Sequence, residues 1–178
     1  KLITPWPGNM KRILNSKKEW DNYWDANGNF RMFDLGTIKN KNLLVHGRLD
    51  DVINIRGHRI GSAEIESTVL RLKEVSECSA ISIEDDLAGY ELYLYVVCNS
   101  KNIDEKINNK IKSIFGIYAL PKQIYYVSEL PKTRSGKILR RLLRDILLNP
   151  KSNNYGDLST ILNSKIVNEI QLLVNNNE

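Results

Sequence analysis

The chain has 178 residues, which suits one domain or one domain plus a fragment, and its 42% apolar share is enough for a packed core. A formal net charge of +5 points to anionic ligands without choosing among a nucleotide, a coenzyme, RNA and a membrane surface. Two cysteines and two histidines at no ligand spacing argue against a disulfide framework or a zinc site. No apolar run approaches the roughly 20 residues of a membrane span, and no signal peptide is visible.

A start at Lys1 rather than Met leads us to expect a piece of a longer protein. Residues 1–33 read as loosely ordered: Pro5-Trp6-Pro7-Gly8 is a turn cluster, and Asn27-Gly28 is a tight-turn signal. Trp20, Tyr23 and Trp24 suggest a segment that packs on something distant. Leu43 to Arg48 reads as a short strand after the Lys39–Asn42 turn. Leu49-Asp50-Asp51 forms a polar joint. Val52–Ile55 and His58–Ile60 flank a hairpin turn at Arg56-Gly57, where glycine permits positive φ. Ser62 is placed as the N-cap of a helix with Glu64 and Glu66 in its first turn and Ile65, Val69 and Leu72 on one face. Cys78–Ile83 reads as a buried strand. Leu92, Leu94, Val96 and Cys98 alternate with Tyr93, Tyr95 and Val97, so both faces of that strand should be covered. Ile107, Ile111 and Ile114 mark a second helix, ended by Gly116. Lys122–Val127 is another strand. The order β-β-α-β-β-α-β-loop-α predicts a small α+β module, a sheet flanked by helices. After Pro150 the composition shifts to Asn, Ser and Lys; residues 151–178 read as a tail, with Ser164 capping a short helix that carries Ile166, Ile170 and Leu173.

The most charged stretch is Leu130-Pro131-Lys132-Thr133-Arg134-Ser135-Gly136-Lys137-Ile138. Lys132 to Asp145 holds six Lys or Arg and one Asp. A glycine just ahead of the helix-periodic run from Ile138 would aim backbone N–H groups, the helix dipole and the Lys137 ammonium at one anion. It is not a P-loop: Ile138 follows Gly136-Lys137, and Pro131 stands at the first-glycine position. On charge alone a solvated basic surface is an equal reading.

Three blocks occur in order: Gly47-Arg48-Leu49-Asp50-Asp51-Val52-Ile53-Asn54-Ile55-Arg56-Gly57-His58-Arg59-Ile60-Gly61, then Ala63-Glu64-Ile65-Glu66-Ser67, then Leu130 to Lys137. Together they closely resemble the C-terminal part of the acyl-CoA synthetases that form acyl-adenylates, nearest to the AMP-forming acetate–CoA ligases. Trp6-Pro7-Gly8 and Asn154 to Leu162 resemble the flanks of the same enzymes, so the likeness covers nearly the whole chain. The resemblance implies that 1–49 end a large AMP-binding domain, that 50–150 form a mobile lid, and that the substrates are ATP, coenzyme A and acetate or another short carboxylate. It implies Lys137 as the catalytic lysine and Asp50 as the hinge. Asp34 would hold the ribose, and Arg48 and Arg59 the ATP phosphates. Arg56, Gly57 and Lys112 would face coenzyme A. Arg56 replaces a small hydroxyl residue and Lys112 an arginine. Leu72 stands where a histidine helps bind a secondary cation, so no metal is assigned; magnesium would accompany ATP elsewhere. The Lys39–Asn42 turn is one residue shorter than usual. The resemblance further implies a cytoplasmic enzyme inactive as this piece alone, its upstream domain as partner, no membrane, and loss of adenylation when Lys137 is acylated. A propionate-type or other short-chain ligase is the near rival: Phe33-Asp34-Leu35-Gly36 leans slightly toward propionate, while the Ala63–Ser67 block and the tail lean toward acetate. An RNA- or anion-binding module is the rival of another class, and it leaves Asp34, Asp50 and Gly57 unexplained. A catalytically silent lid would require Lys137 to be buried and paired.

Overall fold

The computed structural model describes residues 10–48, 52–86, 89–100, 103–152, 154–156 and 158–176. The Pro5–Gly8 cluster and Asp50 lie outside the described residues. The chain divides into two compact units, Lys1–Asp50 and Asp51–Glu178.

In the first unit a short helix, α1 (Lys17–Asn22), precedes a hairpin of β1 (Asp34–Lys39) and β2 (Asn42–Arg48). Residues 10–33 are more ordered than their sequence suggested, because the aromatics pack on each other. Trp20 meets Trp24, Trp24 meets Phe30 edge-on, and Tyr23 contacts both Phe30 and Phe33. Asp25 organises the turn: its Oδ1 accepts from the backbone N–H groups of Asn27 (2.9 Å) and Asn29 (2.8 Å). The β1–β2 turn places Asn40 and Lys41 at φ +51° and +64°. Two left-handed residues in succession match the right-handed twist of a two-residue hairpin.

The second unit is the α+β module. A hairpin, β3 (Val52–Ile55) and β4 (His58–Gly61), leads into α2 (Ser62–Val69). A three-stranded sheet follows, ordered β5 (Val75–Asp85), β6 (Gly89–Cys98), β7 (Gln123–Tyr126). The β5–β6 pair is antiparallel and β6–β7 parallel, the latter crossing through α3 (Asp104–Phe115). Two further helices, α4 (Arg140–Leu148) and α5 (Lys165–Asn175), complete the unit.

Period-2 alternation in β6 divides the interior into two cores. Leu92, Leu94 and Val96 pack with Ile65 and Val69 of α2, Ile107 and Ile111 of α3, and Ile53, Ile55 and Ile60 of the β3–β4 hairpin. Tyr95, with Ile81 and Tyr125 of the neighbouring strands, faces the other way, onto Leu142, Leu143 and Ile146 of α4 and Ile166, Val167 and Ile170 of α5. The sheet is therefore covered on both faces, as the unbroken apolar run predicts.

Four local expectations change. Gly61, not Ser62, is the N-cap of α2; Ser62 is buried inside its first turn. Ile114 is 49% exposed, because the buried stripe of α3 runs through Ile103, Ile107 and Ile111 at i+4 spacing. Residues 158–176 are built into the second core: α5 buries Ile166, Val167, Ile170 and Val174 rather than lying loose. Ser164 makes no capping bond there; Asn163 Oδ1 accepts from Lys165 N instead (3.1 Å).

Burial pushes the Cys78 thiol well above its ordinary range, with the nearby Glu66 carboxylate adding to the shift. Burial also raises the Tyr95 phenol, whose buried hydroxyl has no hydrogen-bond partner among the described residues. Both groups keep their protons in the folded chain after the unfolded chain, near pH 8.5 for Cys and 10 for Tyr, has lost them. The unfolded state then binds fewer protons, so stability falls as pH rises. Unfolding titrations should show stability declining above about pH 8 by up to about 1.4 kcal/mol per pH unit for each group. Cys78→Ala should remove the decline between about pH 8.5 and 10; an unchanged profile in that variant would assign the loss to other groups.

Candidate functional site

The charged stretch forms a hairpin. Lys132 bridges Ile138, Thr133 N donates to Lys137 O (2.9 Å), and Leu139 N donates to Pro131 O (2.9 Å). Gly136 N donates to Thr133 O (2.8 Å), with Gly136 at φ +83°, a conformation natural only to glycine. Thr133 Oγ1 accepts from Lys137 N (3.2 Å) and lies 2.9 Å from Ser135 Oγ. The tip, Arg134 to Lys137, is exposed, while Leu130 and Pro131 at its root are buried. Lys137 has no side-chain hydrogen bond or ion pair among the described residues, so its ammonium is presented to solvent on a braced turn. The silent-lid reading required a buried, paired Lys137 and loses its support. One expectation is corrected. Because Ile138 continues the hairpin, α4 begins only at Arg140, and the lysine sits on a strand end rather than at the helix N-terminus.

Both limbs of this hairpin are tied to the sheet. Lys132 Nζ meets Glu77 Oε1 of β5 at 2.5 Å. Arg140, first residue of α4, donates through Nε and Nη2 to Glu66 Oε1 (3.1 Å) and Oε2 (2.7 Å). Glu66 Oε1 also accepts from Ala80 N of β5 (2.9 Å). Glu66 is thus a buried carboxylate that links α2, β5 and α4, not the first-turn acid its sequence position suggested; Glu64 alone lies in that turn. The missed signal was its place beside Ile65 and Val69 on the apolar side of α2, where a charge needs a partner.

The other candidates occupy separate places. Asp34 and Arg48 are directly opposite in the β1–β2 ladder, both exposed, which brings the two nucleotide candidates of the first unit together. Arg56 and Gly57 form the two-residue β3–β4 turn at φ +50° and +83°. Arg59 lies on β4 of the same hairpin, exposed and opposite Asn54. A Cβ at Gly57 would meet nothing within 4 Å, so that turn opens to space. His58 stacks on Tyr118 with ring centroids 3.9 Å apart, fixing the turn against the segment after α3. Lys112 is exposed in the last turn of α3. The Arg56-Gly57 hairpin rests on the core beneath α2 and α3, whereas Lys137 rises beside the core beneath α4 and α5. The two hairpins therefore belong to opposite faces of the sheet. Among the described residues no group of His, Cys, Asp or Glu could hold a metal ion, and no helix is long and apolar enough to cross a membrane.

Residues 64–137 match the model of the AMP-binding enzyme C-terminal domain. Acetyl-coenzyme A synthetase 2 of Candida albicans is 34% identical over 175 residues, covering 93% of this chain and 26% of that protein. An acetyl-coenzyme A synthetase of Helicobacter pylori is 35% identical over 189 residues, covering 97% of this chain and 28% of that protein. The chain thus spans about a quarter of the length of the relatives it matches. Among solved structures, ATP-bound MatB from Rhodopseudomonas palustris superposes with a TM-score of 0.65 at 21% identity, over 72% of this chain and 26% of that one, a likeness of fold. A Mycobacterium tuberculosis fatty acyl CoA synthetase superposes with a TM-score of 0.54 at 30% identity, over 76% of this chain and 27% of that one.

Glu66→Ala removes the two hydrogen bonds that the Arg140 guanidinium makes to the carboxylate and the one from Ala80 N. The cost should be about 2–3 kcal/mol, below the figure for a fully buried pair because Arg140 is 31% exposed. Denaturant unfolding checks this; a loss under about 0.5 kcal/mol, the level of an exposed pair, would contradict the clamp.

Proposed function

The chain carries an AMP-binding enzyme C-terminal domain, and on that premise we propose that it is the C-terminal portion of an AMP-forming ligase that joins acetate to coenzyme A. In the first half-reaction the acetate carboxylate attacks the α-phosphorus of ATP. The bond to the bridging oxygen breaks, pyrophosphate leaves, and acetyl-adenylate remains. In the second, the thiol of coenzyme A loses its proton and attacks the acyl carbon; the acyl–phosphate bond breaks and AMP leaves.

The observation that carries this reading is the exposed, unpaired Lys137 on the braced tip of a hairpin. Attack at the α-phosphate brings two anions together, and a positioned ammonium offsets that repulsion and stabilises charge on the transferring group. Asp34 accepts from ribose hydroxyls, and Arg48 and Arg59 pair with phosphates. Arg56, Gly57 and Lys112 line the approach of coenzyme A, with the glycine leaving room for the thiol-bearing arm. We place no magnesium ligand on these residues. The acyl pocket belongs to the rest of the enzyme, with Asp50 as the hinge between that part and this one. Presentation of the two hairpins in turn, each from its own face of the sheet, would serve the two half-reactions separately.

In the full-length enzyme, Lys137→Ala should lower acetate-dependent exchange of pyrophosphate into ATP by about 100- to 1,000-fold. Propionate run alongside decides the acid. Absence of exchange with any short acid in the parent enzyme would overturn the reading. Gly57→Leu should leave exchange intact and slow thioester formation from the adenylate; equal losses in both half-reactions would remove Gly57 from the thiol's path.

A further inference from the structure

The hairpin that carries Lys137 has a third strand, contributed from the far end of the chain. Thr133 bridges Ile161. Arg134 N donates to Thr160 O (3.2 Å), and Leu162 N donates to Lys132 O (2.9 Å). Ile161 is buried in the second core, while Thr160 and Leu162 on either side of it are exposed. The same segment grips the approach to the hairpin. Glu169 of α5 accepts from Ser128 N (3.0 Å) and Ser128 Oγ (2.7 Å), and Asn163 donates through Nδ2 to Glu129. Every one of these bonds falls on residues 128–134, the limb that leads to the tip and its first residue, and none falls on Ser135, Gly136 or Lys137.

We propose that residues 158–176 are a positioning element for Lys137. The proposal rests on the adenylation reading above. A two-stranded hairpin tip held only by its own few bonds samples many placements. A third strand, anchored by Ile161 and by α5, fixes the limb in one register against the sheet. The ammonium on its tip is then held where the α-phosphate arrives, and the entropic cost of placing it is met on folding instead of at each turnover. Thr160, Leu162 and Glu169 touch no reacting atom in this scheme; they act through Lys137. The Arg56-Gly57 hairpin has no such tie to residues 158–176 among the described contacts, so the effect should be confined to the first half-reaction.

The test uses the full-length enzyme. Leu162→Pro removes the N–H that bonds Lys132 O at a side chain 68% exposed. Leu162→Ala keeps that N–H and serves as control. Glu169→Ala releases residue 128 should the proline variant fail to fold. Pyrophosphate exchange reads adenylation, and acetyl-CoA release from supplied acetyl-adenylate reads the second step. Leu162→Pro is expected to lose about 10- to 100-fold in exchange, Glu169→Ala a smaller amount, and Leu162→Ala nothing, all with the second step unchanged. Exchange retained in both Leu162→Pro and Glu169→Ala, or both steps falling in proportion, would overturn the proposal. Failure of the adenylation reading itself looks different: the parent would show no exchange at all.

Discussion

A buried carboxylate holds the second unit together. The Glu66 side chain is 9% exposed and accepts three hydrogen bonds, two from Arg140 and one from Ala80 N. Ala80 lies on β5, an edge strand, so that N–H has no strand to pair with. Glu66 satisfies it from α2 on one face of the sheet, and Arg140 closes the pair from α4 on the other. One turn further along α4, Arg144 Nε donates to Ser82 O of the same strand (3.2 Å). An open edge would be a template for pairing with other chains; here two arginines and a glutamate cover it. Removing the carboxylate would take two hydrogen bonds from a half-buried cation and one from an edge amide, which explains why a charge is kept at a position that geometry assigns to the core.

The clamp also sets where function can sit. Arg140 is only three residues beyond Lys137, so the register of α4 and the exit limb of the lysine hairpin are fixed together. Lys132–Glu77 fixes the entry limb, and the strand at 160–162 backs it. On the other face, the β3–β4 hairpin is held by Ile53, Ile55 and Ile60 and by the His58–Tyr118 stack. The sheet thus separates two rigid, exposed turns, one ending in an ammonium and one in a glycine. On the proposed reading these are the working ends of two chemical steps with opposite needs. The first wants positive charge beside phosphate, and the second wants an unobstructed path for a thiol.

The elements of the module were legible because their periods are clean. Leu92 to Cys98 alternates without a break, so a strand covered on both faces followed directly. Ile107 and Ile111 gave α3, and Arg56-Gly57 gave its turn. Lys137, Arg56 and Gly57 stood out by charge and by turn chemistry. What escaped depends on partners distant in sequence. Glu66 lies 74 residues from Arg140, and its place beside Ile65 and Val69 on α2 says that it needs a partner but not which one. Ile138 looked like the start of a helix because its apolar spacing continues into α4, yet pairing with Lys132 holds it extended. Residues 158–176 looked like a tail by composition, since the stripe of Ile166, Val167, Ile170 and Val174 is short and flanked by Asn and Ser. Its value lies in the core it completes. In the first unit Trp20, Tyr23 and Trp24 read as packing on something distant because no periodic run around them offers a core; folded, they and Phe30 and Phe33 find each other.

The central claim is that Lys137 serves adenylate formation and not the later transfer to the thiol. The most direct measurement bypasses the first step: full-length Lys137→Ala enzyme, given synthetic acetyl-adenylate and coenzyme A, in single turnover. The account predicts acetyl-CoA release at the parent's rate, because the Arg56-Gly57 hairpin is intact on the other face of the sheet. Loss of that activity together with adenylation would contradict it, and would make Lys137 a residue on which the whole fold or both steps depend.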